Sequence, residues 1–154
     1  MSVPTVADPA ALRALKERLA ALTPQAQRRW GTMTPHEMLC HLGDAEEMAL
    51  RIRPRRNKVK EISRPILKWL GLWTPIPFPR GVRTNPQHDP KADGTRPADF
   101  ERDRARVIAG LDGLASPDAA TLETAHGIFG LMSLADWQRW AWKHADHHLR
   151  QFGV

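Results

Sequence analysis

The sequence predicts an all-α protein: a four-helix bundle with a long proline-rich crossover between helices 2 and 3. Two observations carry that prediction. Four segments space their apolar residues three and four apart between helix start and stop signals, as a helix with one buried face requires. Between the second and third of them, from Arg53 to Arg96, seven prolines punctuate a stretch with too few apolar residues for a core of its own. At 154 residues, 42% apolar and 26% charged, the chain has ordinary globular composition and one-domain length, so residues 1–154 are read as a single domain.

The first helix begins at Asp8 as N-cap with Pro9 at the first helical position, and it carries Leu12, Leu15, Leu19 and Leu22 on one stripe. Thr23-Pro24 ends it. The second begins at Thr34-Pro35, where Glu37 completes a capping box with Thr34, and runs to about Ile52 before Pro54. In the crossover, Ile66 to Trp73 suffices for a helical turn or two, and Trp69, Trp73, Ile76 and Phe78 are expected to pack onto the body. A third helix fits Pro97 to Leu114, with Phe100, Val107, Ile108, Leu111 and Leu114 as its apolar stripe and Gly113 near its end. The fourth starts at Ser133, an N-cap with Asp136 three residues on, and continues to about Phe152. No internal repeat and no glycine-rich phosphate loop interrupts this plan.

The formal charge of +6 is local, since Arg51, Arg53, Arg55, Arg56, Lys58 and Lys60 account for it. Without them, basic and acidic residues balance at 17 each. A run of charge at a helix end is ordinarily solvated and suits the negative end of the helix dipole, so nucleic acid is not the expected partner. The amino terminus lacks the basic and apolar regions of a signal peptide, and no stretch approaches membrane-spanning length. A cytoplasmic protein without a membrane partner is expected. The single cysteine, Cys40, excludes an intramolecular disulfide and any zinc site of several thiolates, so a metal would need nitrogen and oxygen ligands.

Such ligands are present in the run His144-Ala145-Asp146-His147-His148. At 100° per residue, Leu134, Trp137, Ala141, His144, Ala145, His148 and Phe152 fall within one arc of about 100°, while His147 projects to the flank beside Trp140. The same reading of the second helix puts Met38, His41, Leu42, Ala45, Met48, Ala49 and Ile52 inward, and His36 and Cys40 on the polar side. Cys40 is therefore taken as a small packing residue. Asp44, three residues after His41, and Glu37, four before it, sit on its shoulder and could orient its imidazole or reach a metal through water. Buried imidazoles without partners cost about 1 to 3 kcal/mol each, and one divalent cation would satisfy all three. Three neutral nitrogens with an open position form the ligand set of a catalytic zinc site, and they suit nickel, iron or manganese as well. His126 lies in a glycine-bounded turn, and His88 has no partner that the sequence names.

These residues carry a resemblance. The chain resembles the DinB-like superfamily, and within it a bacterial branch of unassigned function, over most of its length. Its most specific segments are Arg29-Trp30-Gly31-Thr32-Met33-Thr34 leading to Met38-Leu39-Cys40-His41, then His126-Gly127-Ile128-Phe129-Gly130, and finally Lys143-His144-Ala145-Asp146-His147-His148-Leu149-Arg150-Gln151-Phe152-Gly153. The resemblance implies a four-helix bundle holding a metal through one histidine of the second helix and an H-x-x-x-H pair of the last: His41, His144 and His148. The branch commonly has proline where this chain has Gly127, a departure expected to loosen the turn at His126. For some members the resemblance implies metal-dependent transfer or hydrolysis involving low-molecular-weight thiols.

The expected function is thus a metal-dependent transferase or hydrolase acting on a small molecule with a thiol cosubstrate. Zinc or nickel is the expected ion, with iron or manganese as alternatives, and Asp44 or Glu37 would serve as base. Residues 51–60 would draw in an anionic cosubstrate. The alternative is a non-enzymatic, stress-related binding or scaffold protein with a structural or adventitious metal. Six tryptophans suit a homodimer, without identifying its surface.

Overall fold

The computed structural model describes residues 2–154. Five α-helices, α1 (Pro9–Ala21), α2 (Pro35–Ala49), α3 (Pro65–Leu72), α4 (Phe100–Ala115) and α5 (Leu134–Gln151), carry most of its regular structure. Two short 3-10 turns, Pro86–His88 and Ala119–Thr121, and a two-stranded ladder of β1 (Ala125–His126) with β2 (Gly130–Leu131) complete it.

Helix starts follow the capping signals. Asp8 accepts from the amide of Ala10 at 2.9 Å. Thr34 and Glu37 form the reciprocal capping box, with Glu37 N donating to Thr34 Oγ1 at 3.1 Å and Thr34 N to Glu37 Oε2 at 2.8 Å. Ser133 and Asp136 make the same pair at the head of α5. Asp99 caps α4, so that helix begins at Phe100 and not at Pro97.

The end of α2 departs from expectation. Arg51 adopts φ +56°, a left-handed conformation that usually falls to glycine, and the amides of Ile52 and Arg53 both donate back to the carbonyl of Glu47. The helix therefore stops at Ala49, and Ile52 lies outside it, 69% exposed.

α1, α2, α4 and α5 pack on one another, with α2 along α4 and α1 along α5. Leu15, Leu19, Met38, Leu42, Leu111 and Leu149 are fully buried between them. Every residue of α2 except His36, Glu37 and Glu47 is buried. Its supposed polar side is thus covered, chiefly by α4 and by the residues around the 3-10 turn at Pro86.

The segment between α2 and α4 contains α3, and its anchors differ from those expected. Leu72 is its fully buried residue and Phe78 is half-buried against the core, whereas Trp69, Trp73 and Ile76 are exposed. Trp73 stays at the surface because its indole N–H donates to Asp136 at 2.8 Å while the guanidinium of Arg139 lies 3.5 Å from its ring centroid. Leu134, expected inward, is exposed at the start of α5. Among the described residues no helix is long and apolar enough to cross a membrane.

Candidate metal centre

His41 on α2 meets His144 and His148, one turn apart on α5, and one ring nitrogen from each lies within 4.8 Å of the others. The Nε2 atoms of His41 and His144 are 3.1 Å apart. Two ligands about 2.0–2.1 Å from a shared ion would stand roughly 2.9–3.4 Å apart, so this spacing fits common coordination.

Hydrogen bonds around the rings fix which nitrogens carry lone pairs. His41 Nδ1 faces the backbone carbonyl of His88 at 2.9 Å, and since a carbonyl only accepts, Nδ1 holds the proton and Nε2 the lone pair. Gln151 donates its amide N–H to the Trp30 carbonyl at 2.8 Å, which leaves its Oε1 to accept from His148 Nδ1 at 2.9 Å. His148 Nε2 is thereby a lone pair too. His144 stacks on Trp140 at 5.0 Å, and its Nδ1 is buried without a partner. One neutral His144 can give a hydrogen to only one of the two facing acceptors. A cation would engage all three, so the donor set fits a divalent metal.

Burial lowers the pKa of each ring, opposed for His41 by the His88 carbonyl and reinforced for His144 by His148 and for His148 by His41. The imidazoles are held neutral, the form that can ligate.

The three rings line a cavity of about 730 Å³ whose walls are mostly apolar, among them Met48, Phe78, Phe129 and Trp140. His88, His126 and His147 line it as well. His126 was expected in a loosened turn, yet its Nδ1 accepts from the amides of Ile128 and Phe129 at 3.1 and 3.4 Å, and burial lowers its pKa to about 3. Gly130, at φ +69°, lets the ladder close against the Ile62 carbonyl, where any side chain would collide. A Cβ at residue 127 would meet nothing within 4 Å, so the space there is open to a larger residue such as proline. His88 contributes its carbonyl, and its ring Nε2 rests 3.3 Å from Met48 Sδ. His147 packs edge-on against Trp30 and His148.

Neither carboxylate proposed beside His41 touches its ring. Asp44, fully buried, accepts from Thr95 N and Oγ1 at 2.7 and 2.6 Å and pairs with Arg53 and Arg106 at 2.8 and 2.9 Å. It pins the stretch after His88, and its charge opposes the lowering of the His41 pKa by burial without a hydrogen bond to the ring. Glu37 is spent on the helix cap and on Lys91, 3.6 Å away. Within the basic run, Arg53 and Arg55 are half-buried while Arg51, Arg56, Lys58 and Lys60 are exposed. Arg55 donates to the Ala125 carbonyl at 2.8 Å and lines the cavity, its Nε buried without a partner.

A second cluster has no counterpart in the sequence analysis, where His36 and Cys40 fall on the polar side of helix 2 and their partner Asp103 lies 63 residues beyond Cys40. His36 Nε2 lies 2.8 Å and Cys40 Sγ 3.5 Å from Asp103 on α4, whose other oxygen meets Arg106 at 3.4 Å. Burial raises the Asp103 pKa, but hydrogen bonds from His36, Cys40 and Arg106 outweigh it and hold the carboxyl below its usual range. Burial, then the Asp103 charge, pushes the Cys40 thiol up to about 12.

The family model described as the DinB superfamily matches residues 6–152. No curated protein and no solved structure matches the chain.

Proposed function

This chain belongs to the DinB superfamily, and from that premise we propose that His41, His144 and His148 hold one divalent metal ion in a metal-dependent transferase or hydrolase. The reading takes α1, α2, α4 and α5 as the family's four-helix bundle, and the residues between α2 and α4 as its crossover. The substrate is a small molecule, with a low-molecular-weight thiol as cosubstrate. The observation that carries this is the convergence of three neutral ring nitrogens on the wall of a cavity of about 730 Å³. Ligands closed in on every side would suit a structural staple; an open side toward a cavity suits chemistry.

When bound, the ion supplies Lewis acidity and lowers the pKa of a thiol or water. The chain's residues do the rest. The His88 carbonyl and the Gln151 amide hold the His41 and His148 rings each in one tautomer. Met48, Phe78, Phe129 and Trp140 exclude water and favour an apolar substrate body. Arg55, with an unpartnered Nε at the cavity, offers a charge for the carboxylate of an anionic cosubstrate. Zinc or nickel suits three imidazoles, and iron or manganese remain within their range.

Metal analysis of tag-free protein tests the site. Wild type should retain about one equivalent per chain after extensive dialysis, and His41→Ala none; equal content in the two proteins overturns it. Chelation then separates roles, because loss of a catalytic ion leaves a folded protein, whereas loss of a structural ion lowers the melting temperature strongly.

A further inference from the structure

α3 presents an apolar face to solvent that the proposed chemistry does not use. Ile66, Leu67, Trp69, Leu70 and Trp73 are all exposed, Ile66 by 81% and Trp69 by 60%. The one charged residue of α3, Lys68, turns back onto the body to pair with Asp136 at 2.8 Å, so α3 itself adds no outward charge, and the charge that reaches this face, Arg139 on the Trp73 ring, is basic. Ile76 and Val82 continue the patch. Contiguous exposed apolar surface of this kind marks a docking surface.

The charge of the same stretch of chain points to what docks there. From Arg51 to Arg83 the chain holds ten basic residues and one acidic, Glu61. Arg56, Lys58, Lys60, Arg80 and Arg83 are exposed. A second copy packed on this face about a two-fold axis would bring two such basic fields together. Anionic lipid headgroups would neutralise one, and exposed tryptophan and isoleucine would enter the headgroup boundary. Surface attachment of this kind needs no spanning helix.

The cavity opens on the same face. Leu67, Leu70, Ile76, Val82 and Ile128 are exposed and also line the cavity that holds the three histidines. We propose that the α3 face seats on an anionic lipid surface, with the cavity mouth against it, so that the small molecule taken up is one that partitions into lipid. Docking is independent of any metal at the histidines, so its test reads binding alone.

The experiment is co-sedimentation of the full chain with vesicles of phosphatidylcholine, alone or with about one third phosphatidylglycerol. Binding is expected to the mixed vesicles at low salt, to weaken at high salt, and to be absent with phosphatidylcholine alone. The double variant Ile66→Glu, Trp69→Glu should abolish it while helix content and melting temperature stay at wild-type values, since both side chains are exposed. Lys58→Ala and Lys60→Ala should each weaken it about fivefold. No sedimentation with anionic vesicles at low salt overturns the proposal, as does binding indifferent to Ile66 and Trp69. A concentration-dependent dimer that Trp69→Glu dissolves would assign the face to a second copy instead.

Discussion

His41 on α2 donates its Nδ1–H to the carbonyl oxygen of His88, 2.9 Å away in space and 47 residues along the chain. The proline-rich segment thereby becomes part of the histidine site. Asp44 anchors that segment through Thr95 and faces Arg53 and Arg106 across the same carboxylate. Asp44→Ala should leave both guanidinium groups without this partner, and breaking a buried ion-pair network costs about 3 kcal/mol. Urea denaturation of the two proteins checks this; wild-type stability in the variant would mean that the segment is held by other contacts.

Gln151 relays the Trp30 carbonyl to His148 and so sets the tautomer of one proposed ligand. Gln151→Met keeps the volume and removes both hydrogen bonds. Metal affinity should fall about 10–100-fold with the helix content unchanged. Competition against a chromophoric chelator measures it, and equal affinities would show that packing on Trp140 and His147 suffices to orient the rings.

How much of this was legible in the sequence depends on which physical signal carried it. The facing of His41, His144 and His148 follows from helix phase, because 100° per residue holds along any regular helix and caps mark where each helix begins. Phase assumes one wet face, and α2 has almost none. The side of α2 that phase made polar is therefore covered, and Cys40, Asp44 and Glu46 are all buried. The group that orients His41 is a backbone carbonyl, to which residue type is blind. The stop of α2 at Arg51 was hidden because arginine, not glycine, takes the left-handed position. Tryptophans in the crossover looked like anchors by hydrophobicity, but hydrogen bonding and cation stacking keep Trp73 at the surface.

Glu46 is 1% exposed, and its Oε2 has no partner. Burial first, then the charge of Glu47, holds its carboxyl well above the usual range, against the opposing pull of Arg106. In the unfolded chain the group ionises near 4.5, while in the folded chain it keeps its proton to higher pH. Its contribution is therefore complete below 4.5 and is lost as pH rises toward the folded value. Glu46→Gln cannot ionise, so its stability relative to wild type should grow with pH, by up to about 1.4 kcal/mol per unit. Denaturation series at mildly acidic and mildly alkaline pH check the trend; parallel profiles would show that the carboxyl is charged in the folded protein.

Cys40 is fully buried, with its thiol pushed up to about 12 by burial and then by Asp103, so it is not a thiolate at any ordinary pH. The folded protein should leave an aromatic disulfide reagent unreacted at mildly alkaline pH and release one thiol per chain only on denaturation. Asp103→Asn removes the neighbouring negative charge but not the burial, so labelling of the folded variant should rise only modestly. This bears on the source of the nucleophile. Under the proposed function, a thiolate in the cavity would then come from the cosubstrate, for which Arg55 Nε at the cavity wall offers a charge. Labelling of native Cys40 at the rate of a free thiol would show instead that burial and Asp103 do not hold the thiol protonated.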